Sequence, residues 1–180
     1  FVTNDHGNPR HTPMELIEDY LGLPLSSVSY FDGEKGQLVI KNIRYPNGLA
    51  LSKDQQTLYV AQTTANLVSR YHRGEDMTTW SFNDSVHVDS AVDNLEWDGQ
   101  GRLLTGSHLR IFDFVAHMED ENNPSPSEVI RVDVSADTMT YERLYRNTGE
   151  EISGSSVAAQ LGSEMLIGSV FESFFLRCQM

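Results

Sequence analysis

Short stretches in which apolar and polar residues alternate, separated by turns rich in Gly, Asp and Asn, fill most of the chain. Such alternation predicts half-buried β-strands. The clearest case is Val92-Asp93-Asn94-Leu95-Glu96-Trp97, followed by Asp98-Gly99-Gln100-Gly101 and then Arg102-Leu103-Leu104-Thr105-Gly106-Ser107-His108. A strand, a tight turn and a second strand predict an antiparallel hairpin. The start of one strand and the end of the next lie at the same edge of a hairpin, so Asp93, Asn94 and His108 are expected on one rim.

The pattern recurs. Asn47-Gly48-Leu49-Ala50-Leu51 leads through a polar turn into Thr57-Leu58-Tyr59-Val60-Ala61-Gln62, and Gly154-Ser155-Ser156-Val157-Ala158-Ala159 leads into Glu164-Met165-Leu166-Ile167-Gly168-Ser169. Phe1-Val2-Thr3-Asn4-Asp5-His6 reads as the end of another such unit. With Thr3, Ala61, Gly106 and Gly168 closing the second strands, the spacings are 58, 45 and 62 residues. Hairpins returning every roughly 40–50 residues, with insertions, are the pattern of propeller blades of about four strands each. Further strand patterns lie at 28–31 and 37–40 around an Asp32-Gly33 turn, and at 67–72, 80–82, 127–132, 138–145 and 174–177. Residues 118–127 read as a solvated loop.

One helix is expected near residues 13–21. Met14, Ile17 and Leu21 fall at helical spacing, Thr12 suits the N-cap, Pro13 the first turn, and Glu15 completes a capping box. The plain reading is a helix capping one end of the propeller; a lid over a pocket, or a helix touching a membrane or lipoprotein, are its alternatives. The fold class is therefore all-β, a β-propeller of the six-bladed type. At roughly 40–50 residues per blade, this chain covers about three blades. It is expected to form a single domain, 1–180, the C-terminal part of a larger propeller whose N-terminal half is missing. Its parts are a partial blade with the helix (1–43), two blades (44–90 and 91–146) and a partial blade (147–180).

Charge narrows the partners. Against 26 acidic residues stand 13 basic ones, a net charge of −13, and the basic residues are scattered. This argues against nucleic acid as a partner, because such binding runs on phosphate neutralisation by Lys and Arg. An acidic surface suits cations but identifies no site. No apolar run approaches the roughly 18–20 residues of a membrane span. Cys178 is the sole cysteine, so a bridge to a segment outside this chain and an idle buried thiol both stay open. Asn83-Asp84-Ser85 is a glycosylation sequon, meaningful only for a secreted protein.

Candidate chemistry gathers at the rim positions. Asn47, Asp93 and Asn94 each stand at the start of a repeat's first strand, innermost in a propeller, and are expected to converge on the axis. Oxygen donors of mixed charge suit a hard cation, Ca²⁺ above all, whereas zinc would want Cys and His. Ordinary turn chemistry is the competing reading of the same residues. Asp5 and His6 share a polar loop, and His6 and His108 occupy matching strand exits, where they could move protons, line a pocket or simply fill the rim. His11, His72, His87 and His117 have no such register. There is no Gly-x-Ser-x-Gly elbow for a serine nucleophile.

In these motifs the sequence resembles the C-terminal half of the paraoxonase/arylesterase family, calcium-dependent hydrolases on a six-bladed propeller. The resemblance rests on Thr3-Asn4-Asp5-His6, Tyr20-Leu21-Gly22-Leu23, Asn47-Gly48, Val92-Asp93-Asn94, Gly106-Ser107-His108, Pro126-Ser127-Glu128-Val129-Ile130-Arg131, Gly154-Ser155-Ser156-Val157-Ala158 and Leu166-Ile167-Gly168-Ser169-Val170-Phe171. It implies hydrolysis of aryl esters, lactones and sometimes phosphotriesters. It implies that Asn47, Asp93 and Asn94 match ligands of the catalytic calcium, with Asp5, His6 and His108 beside it. Tyr45, Phe112, Ser156 and Val170 would fall near the substrate pocket. Calcium would polarise the carbonyl while water attacks, with Asp93 as general base or nucleophile. Cys178 would bridge to a cysteine near the family's N-terminus, and the remaining calcium ligands and the paired catalytic histidines would lie upstream of Phe1. Ser107 stands where animal members commonly carry cysteine, which suggests a different branch; the resemblance leans towards a secreted protein. The alternatives are a sugar lactonase of the gluconolactonase type and a propeller used only for binding. The Asp93-Asn94 pair and residues 127–131 favour the paraoxonase side.

Overall fold

The computed structural model describes residues 1–180, the side chain of Asp19 apart. The chain forms two compact units, Phe1–Ser85 and Val86–Met180. Among the described residues no helix is long and apolar enough to cross a membrane.

The first unit holds β1 (Val2–Asn4), α1 (Pro13–Leu21), β2 (Ser26–Phe31), β3 (Gly36–Ile43), β4 (Pro46–Leu51), β5 (Thr57–Gln62) and β6 (Leu67–Arg73), and β7 (Trp80–His87) carries the chain into the second. Two sheets result, in the orders β1-β2-β3 and β4-β5-β6-β7. Burial alternates along β4, as its sequence pattern requires, while five of the six residues of β5 are buried, as befits a strand flanked on both sides. The core joins Val28, Ile40 and Ile43 to Leu58, Val60 and Tyr71, with Phe1 and Trp80 packed against them. The Asp32-Gly33 turn closes through the Asp32 carboxylate, which accepts the N–H groups of Glu34 and Lys35 at 2.8 and 2.7 Å.

The helix starts as its sequence predicts: the Thr12 hydroxyl accepts the Glu15 N–H at 3.3 Å. The Glu15 carboxylate reaches past Thr12 to the N–H of His11, so the capping box is displaced by one residue. Gly22, at φ 55°, ends the helix, and the Leu23 N–H turns back to the Glu18 carbonyl at 3.0 Å. This six-to-one closure needs a left-handed residue that only glycine adopts cheaply.

The second unit holds β8 (Ala91–Trp97), β9 (Leu103–His108), α2 (Ile111–Glu119), β10 (Ser127–Asp133), β11 (Thr140–Asn147), β12 (Ser155–Leu161), β13 (Glu164–Ser169) and β14 (Leu176–Gln179). Its sheets run β11-β10-β9-β8 and β12-β13-β14. Leu104, Val129, Ile152, Ala158, Met165 and Ile167 form its core, with Cys178 packed against it. At the β8–β9 turn the buried Asp98 carboxylate accepts the N–H groups of Gln100 and Arg102, both at 2.8 Å, and pairs with the Arg102 guanidinium at 2.7 Å. Helix α2 is the element that the alternation did not reveal: its first residues fall in no predicted element and its last read as part of the 118–127 loop.

One device recurs in three sheets. Between Pro46↔Gln62 and Leu49↔Val60, Asn47 and Gly48 face Ala61 alone. Between Val92↔Ser107 and Leu95↔Thr105, Asp93 and Asn94 face Gly106 alone. Between Ser155↔Ser169 and Val157↔Gly168, Ser156 is the extra residue. Each first strand thus carries a β-bulge at the same place, and a bulge breaks the ladder, twists the strand and re-aims its side chains. In the second unit β12 runs so close to β9 that a Cβ on Gly106 would lie 2.4 Å from the Ser156 carbonyl carbon.

Candidate functional site

The bulge on β8 turns Asp93 inward and Asn94 outward. Asp93 is 6% exposed, and its Oδ2 stands 3.3 Å from the Nε2 of His108. The hairpin register causes this meeting: β8 enters where β9 leaves, with Ala91 opposite His108. His108 is buried, and the ring of Phe114 stacks on it at 3.7 Å between centroids and 23° between planes. Phe114 comes from α2, so the unforeseen helix supplies the wall of the histidine. Phe171 tilts against Phe114 at 5.7 Å and against His117 at 5.8 Å. Nε2 faces a carboxylate, so in the neutral ring it carries the hydrogen and Nδ1 is a bare acceptor. That Nδ1 is buried and has no hydrogen-bond partner among the described residues.

Asn94 is held differently. Its amide nitrogen donates to the carbonyl of Ser156 at 3.3 Å, an oxygen that the β12 bulge takes out of its own ladder. Behind the pair, a polar knot fixes β9 to β10. Glu128 is fully buried; it accepts the Ser90 hydroxyl at 2.7 Å and meets the Arg143 guanidinium at 2.7 Å, and the Ser107 hydroxyl donates to it at 3.4 Å. Neither Phe114 nor Glu128 was assigned a role from sequence. Helical spacing of Ile111, Phe114, Val115 and Met118 was the available signal for the first, and a carboxylate inside an apolar strand for the second.

Phe112 lies exposed on α2, Ser156 is buried at its bulge, and Val170 follows β13, half exposed. In the first unit, His6 Nδ1 lies 3.4 Å from Asp5 Oδ1 and its Nε2 3.9 Å from Glu15 Oε1. Tyr45, at φ 39°, sets its ring edge-on to His6 at 4.9 Å. Arg10 pairs with Asp5 at 2.8 Å. Asn47 stands half-buried on the β4 bulge. Asn83 is exposed on β7 and donates to Asp84 at 3.1 Å. Cys178 is a free, half-buried thiol on β14; burial first, and the Glu151 carboxylate second, push it above the usual thiol range.

Among the described residues no three His, Cys, Asp or Glu side chains cluster as a metal site. The donors that the second unit does offer, one carboxylate and one amide oxygen, are nevertheless of the type a calcium ion takes. They fill only part of the 6–8 positions such an ion has.

Antiparallel sheets with bulged first strands, and a buried carboxylate–imidazole pair at the end of one hairpin, define an all-β protein of the propeller type. The fold agrees with solved structures. A calcium-binding protein, regucalcin, from Agrobacterium tumefaciens matches with a TM-score of 0.53 at 17% identity, over 84% of this chain and 46% of that one. A gluconolactonase from Xanthomonas campestris matches at 0.50 and 22% identity, over 80% and 41%. In sequence, serum paraoxonase/arylesterase 2 of Gallus gallus is 31% identical over 178 residues, covering 95% of this chain and 48% of that protein. The family model described as Arylesterase matches residues 1–180. The chain belongs to the arylesterase family, and it spans about half the length of the curated relatives it matches.

Proposed function

We propose that this chain is the C-terminal part of a calcium-dependent hydrolase of aryl esters and lactones. The observation that carries the reading is the buried contact of Asp93 with His108 beneath Phe114, one residue from the outward-facing Asn94. Asp93 and Asn94, with Asn47, are the proposed calcium ligands. Bound calcium would polarise the substrate carbonyl and stabilise the oxyanion that develops on it.

The chain's own residues handle position and protons. Asp93 fixes the ring orientation of His108 and favours the tautomer with hydrogen on Nε2. His108, so oriented, is the proposed proton-handling partner of Asp93, the proposed general base, and the Asp93 carboxylate stabilises the imidazolium when the ring takes the proton. Stacking on Phe114 prevents ring rotation and keeps water from solvating the pair. His6, flanked by Asp5, Glu15 and Tyr45, is the second proposed proton-handling group. Phe112, Ser156, Val170 and Tyr45 are the proposed substrate contacts.

The surroundings favour aryl and lipophilic substrates over sugar lactones. Phe112 is 74% exposed and Phe171 44%, and such apolar surface matches an aromatic or alkyl leaving group rather than a ring of hydroxyls. Two modifications complete the proposal: a disulfide from Cys178 to a cysteine outside this chain, and a glycan on Asn83.

The test uses the full-length protein and an aryl acetate. Chelation should abolish hydrolysis and added calcium restore it; D93N should lose calcium binding and activity together. H108Q should keep calcium and lose roughly 10²–10⁴-fold in kcat, the usual worth of a positioned acid–base group. Activity indifferent to chelation would sink the reading. Calcium bound tightly without any turnover would leave a binding propeller instead.

A further inference from the structure

We propose that Glu18 is the positioning residue of His6: a buried carboxylate on α1 that fixes the loop delivering Asp5 and His6. The inference rests on the reading above, in which His6 handles protons.

Glu18 is 3% exposed, although it sits on a nine-residue helix whose Leu16, Tyr20 and Leu21 all face outward. The helix therefore turns its charge inward and its apolar residues outward, the reverse of ordinary amphipathic packing. The loop after β1 explains the inversion. Glu18 Oε1 accepts the N–H of Gly7 at 2.8 Å, and Oε2 accepts both the N–H of Asn8 at 3.1 Å and its side-chain amide at 2.8 Å. Two successive backbone N–H groups converging on one anion form a concave nest, and a buried anion is the ligand such a nest wants. The Ser26 hydroxyl lies 2.7 Å from the Asp5 carbonyl and 3.1 Å from Glu18 Oε1, so its one hydrogen is shared between the loop and the carboxylate and holds both near β2.

His6 is thereby pinned from both sides. Ahead of it, the Asn4 amide donates to the hydroxyls of Ser27 and Ser29, each at 3.0 Å. Behind it, Gly7 has no space for a side chain, since a Cβ would meet the Leu25 carbonyl oxygen at 2.4 Å. The arrangement needs the ionised acid. Burial pushes the Glu18 carboxyl up, but the hydrogen bonds from Gly7, Asn8 and Ser26 outweigh it and hold the group below its ordinary value. A neutral amide of the same shape would offer one acceptor oxygen where the loop requires two, and would set its own N–H₂ against an N–H.

The experiment is a cycle of E18Q, H6Q and the double variant in the full-length, calcium-loaded protein. Turnover of an aryl acetate, calcium affinity and amide exchange at Gly7 and Asn8 are measured for each. E18Q is expected to speed exchange of those two amides and to leave calcium affinity unchanged. Its kcat should fall about 10–100-fold, the cost of a small misplacement of a reacting group, with KM within about twofold. In the H6Q background E18Q should cost almost nothing more, because it acts through the missing imidazole. Equal losses in both backgrounds would show a general weakening of the fold and overturn the proposal. So would unchanged exchange and turnover in E18Q while H6Q is inactive. H6Q at full turnover would remove His6 from the machinery, overturning the positioning role and that part of the proposed function together.

Discussion

Asp93 and Asn94 are neighbours in sequence with opposite fates, one buried against His108 and the other turned outward to Ser156, and a single inserted residue in the β8 ladder separates them. Gly106 faces that insertion from β9. G106A would drive a methyl group into the β12 backbone and should cost at least about 1–3 kcal/mol, the usual range for overpacking, read as a lower midpoint in urea. Asp98 gives a pH prediction. Burial raises its carboxyl, but the N–H groups and guanidinium of Arg102 and the N–H of Gln100 more than compensate and hold it below the ordinary value of 3.8. A group depressed on folding contributes stability that is complete above its unfolded pKa and is lost as pH falls through the folded one. D98N should therefore flatten the acid limb of the stability curve below about pH 4 and cost roughly 1–2 kcal/mol at neutral pH, where a charge-assisted bond is lost. Phe114 is the residue that the sequence concealed. Its role depends on where α2 lies over β9, and no spacing within the chain encodes that.

The strands were legible because each buries one face, and burying one face forces alternation. The hairpin register followed from the same rule, which is why Asp93 and His108 could be placed on one rim before any coordinates. Helix α2 was not legible, for two local reasons. Arg110 at its N-cap makes no side-chain capping bond, so the usual start signal is missing. Its first turns also crowd Ile111, Phe112, Phe114 and Val115 together, and in so short a run apolar density imitates a strand. Helix α1 carried its cap in plain view at Thr12, yet its inward charge was hidden, because the partners of Glu18 are backbone N–H groups that have no letter in a sequence. The elements make their own prediction. A116P should break α2 at a cost of about 3 kcal/mol within the helix. If α2 serves to hold His108, kcat should fall while far-ultraviolet circular dichroism keeps its β-sheet signature.

Across the chain, charge dominates. A net charge of −13 raises the local concentration of cations, and salt screens that attraction over about 10 Å at 0.1 M. The proposed calcium binding, measured by titration calorimetry, should therefore weaken several-fold between low and high potassium chloride, more than the single Asp93 charge among the proposed ligands would explain. In the full-length protein, peptide mapping without reductant should show Cys178 bridged, whereas in this chain it should titrate as one slow thiol, since burial keeps it protonated. The Glu128–Arg143 contact joins a fully buried carboxylate to a guanidinium whose side chain stays 39% exposed, and water can take over the charge of Arg143. E128Q should therefore cost about 1–2 kcal/mol rather than the roughly 3–5 of a fully buried pair.

The sheet β12-β13-β14 has one further consequence. Among the described residues β14 hydrogen-bonds on one side only, to β13, and Phe174 and Phe175 beside it are exposed. An unsatisfied row of amides flanked by aromatic rings is a template for whatever extended peptide drifts past. Concentrated samples of the isolated polypeptide should therefore grow into oligomers from that border, and a short peptide able to occupy it should keep them dispersed.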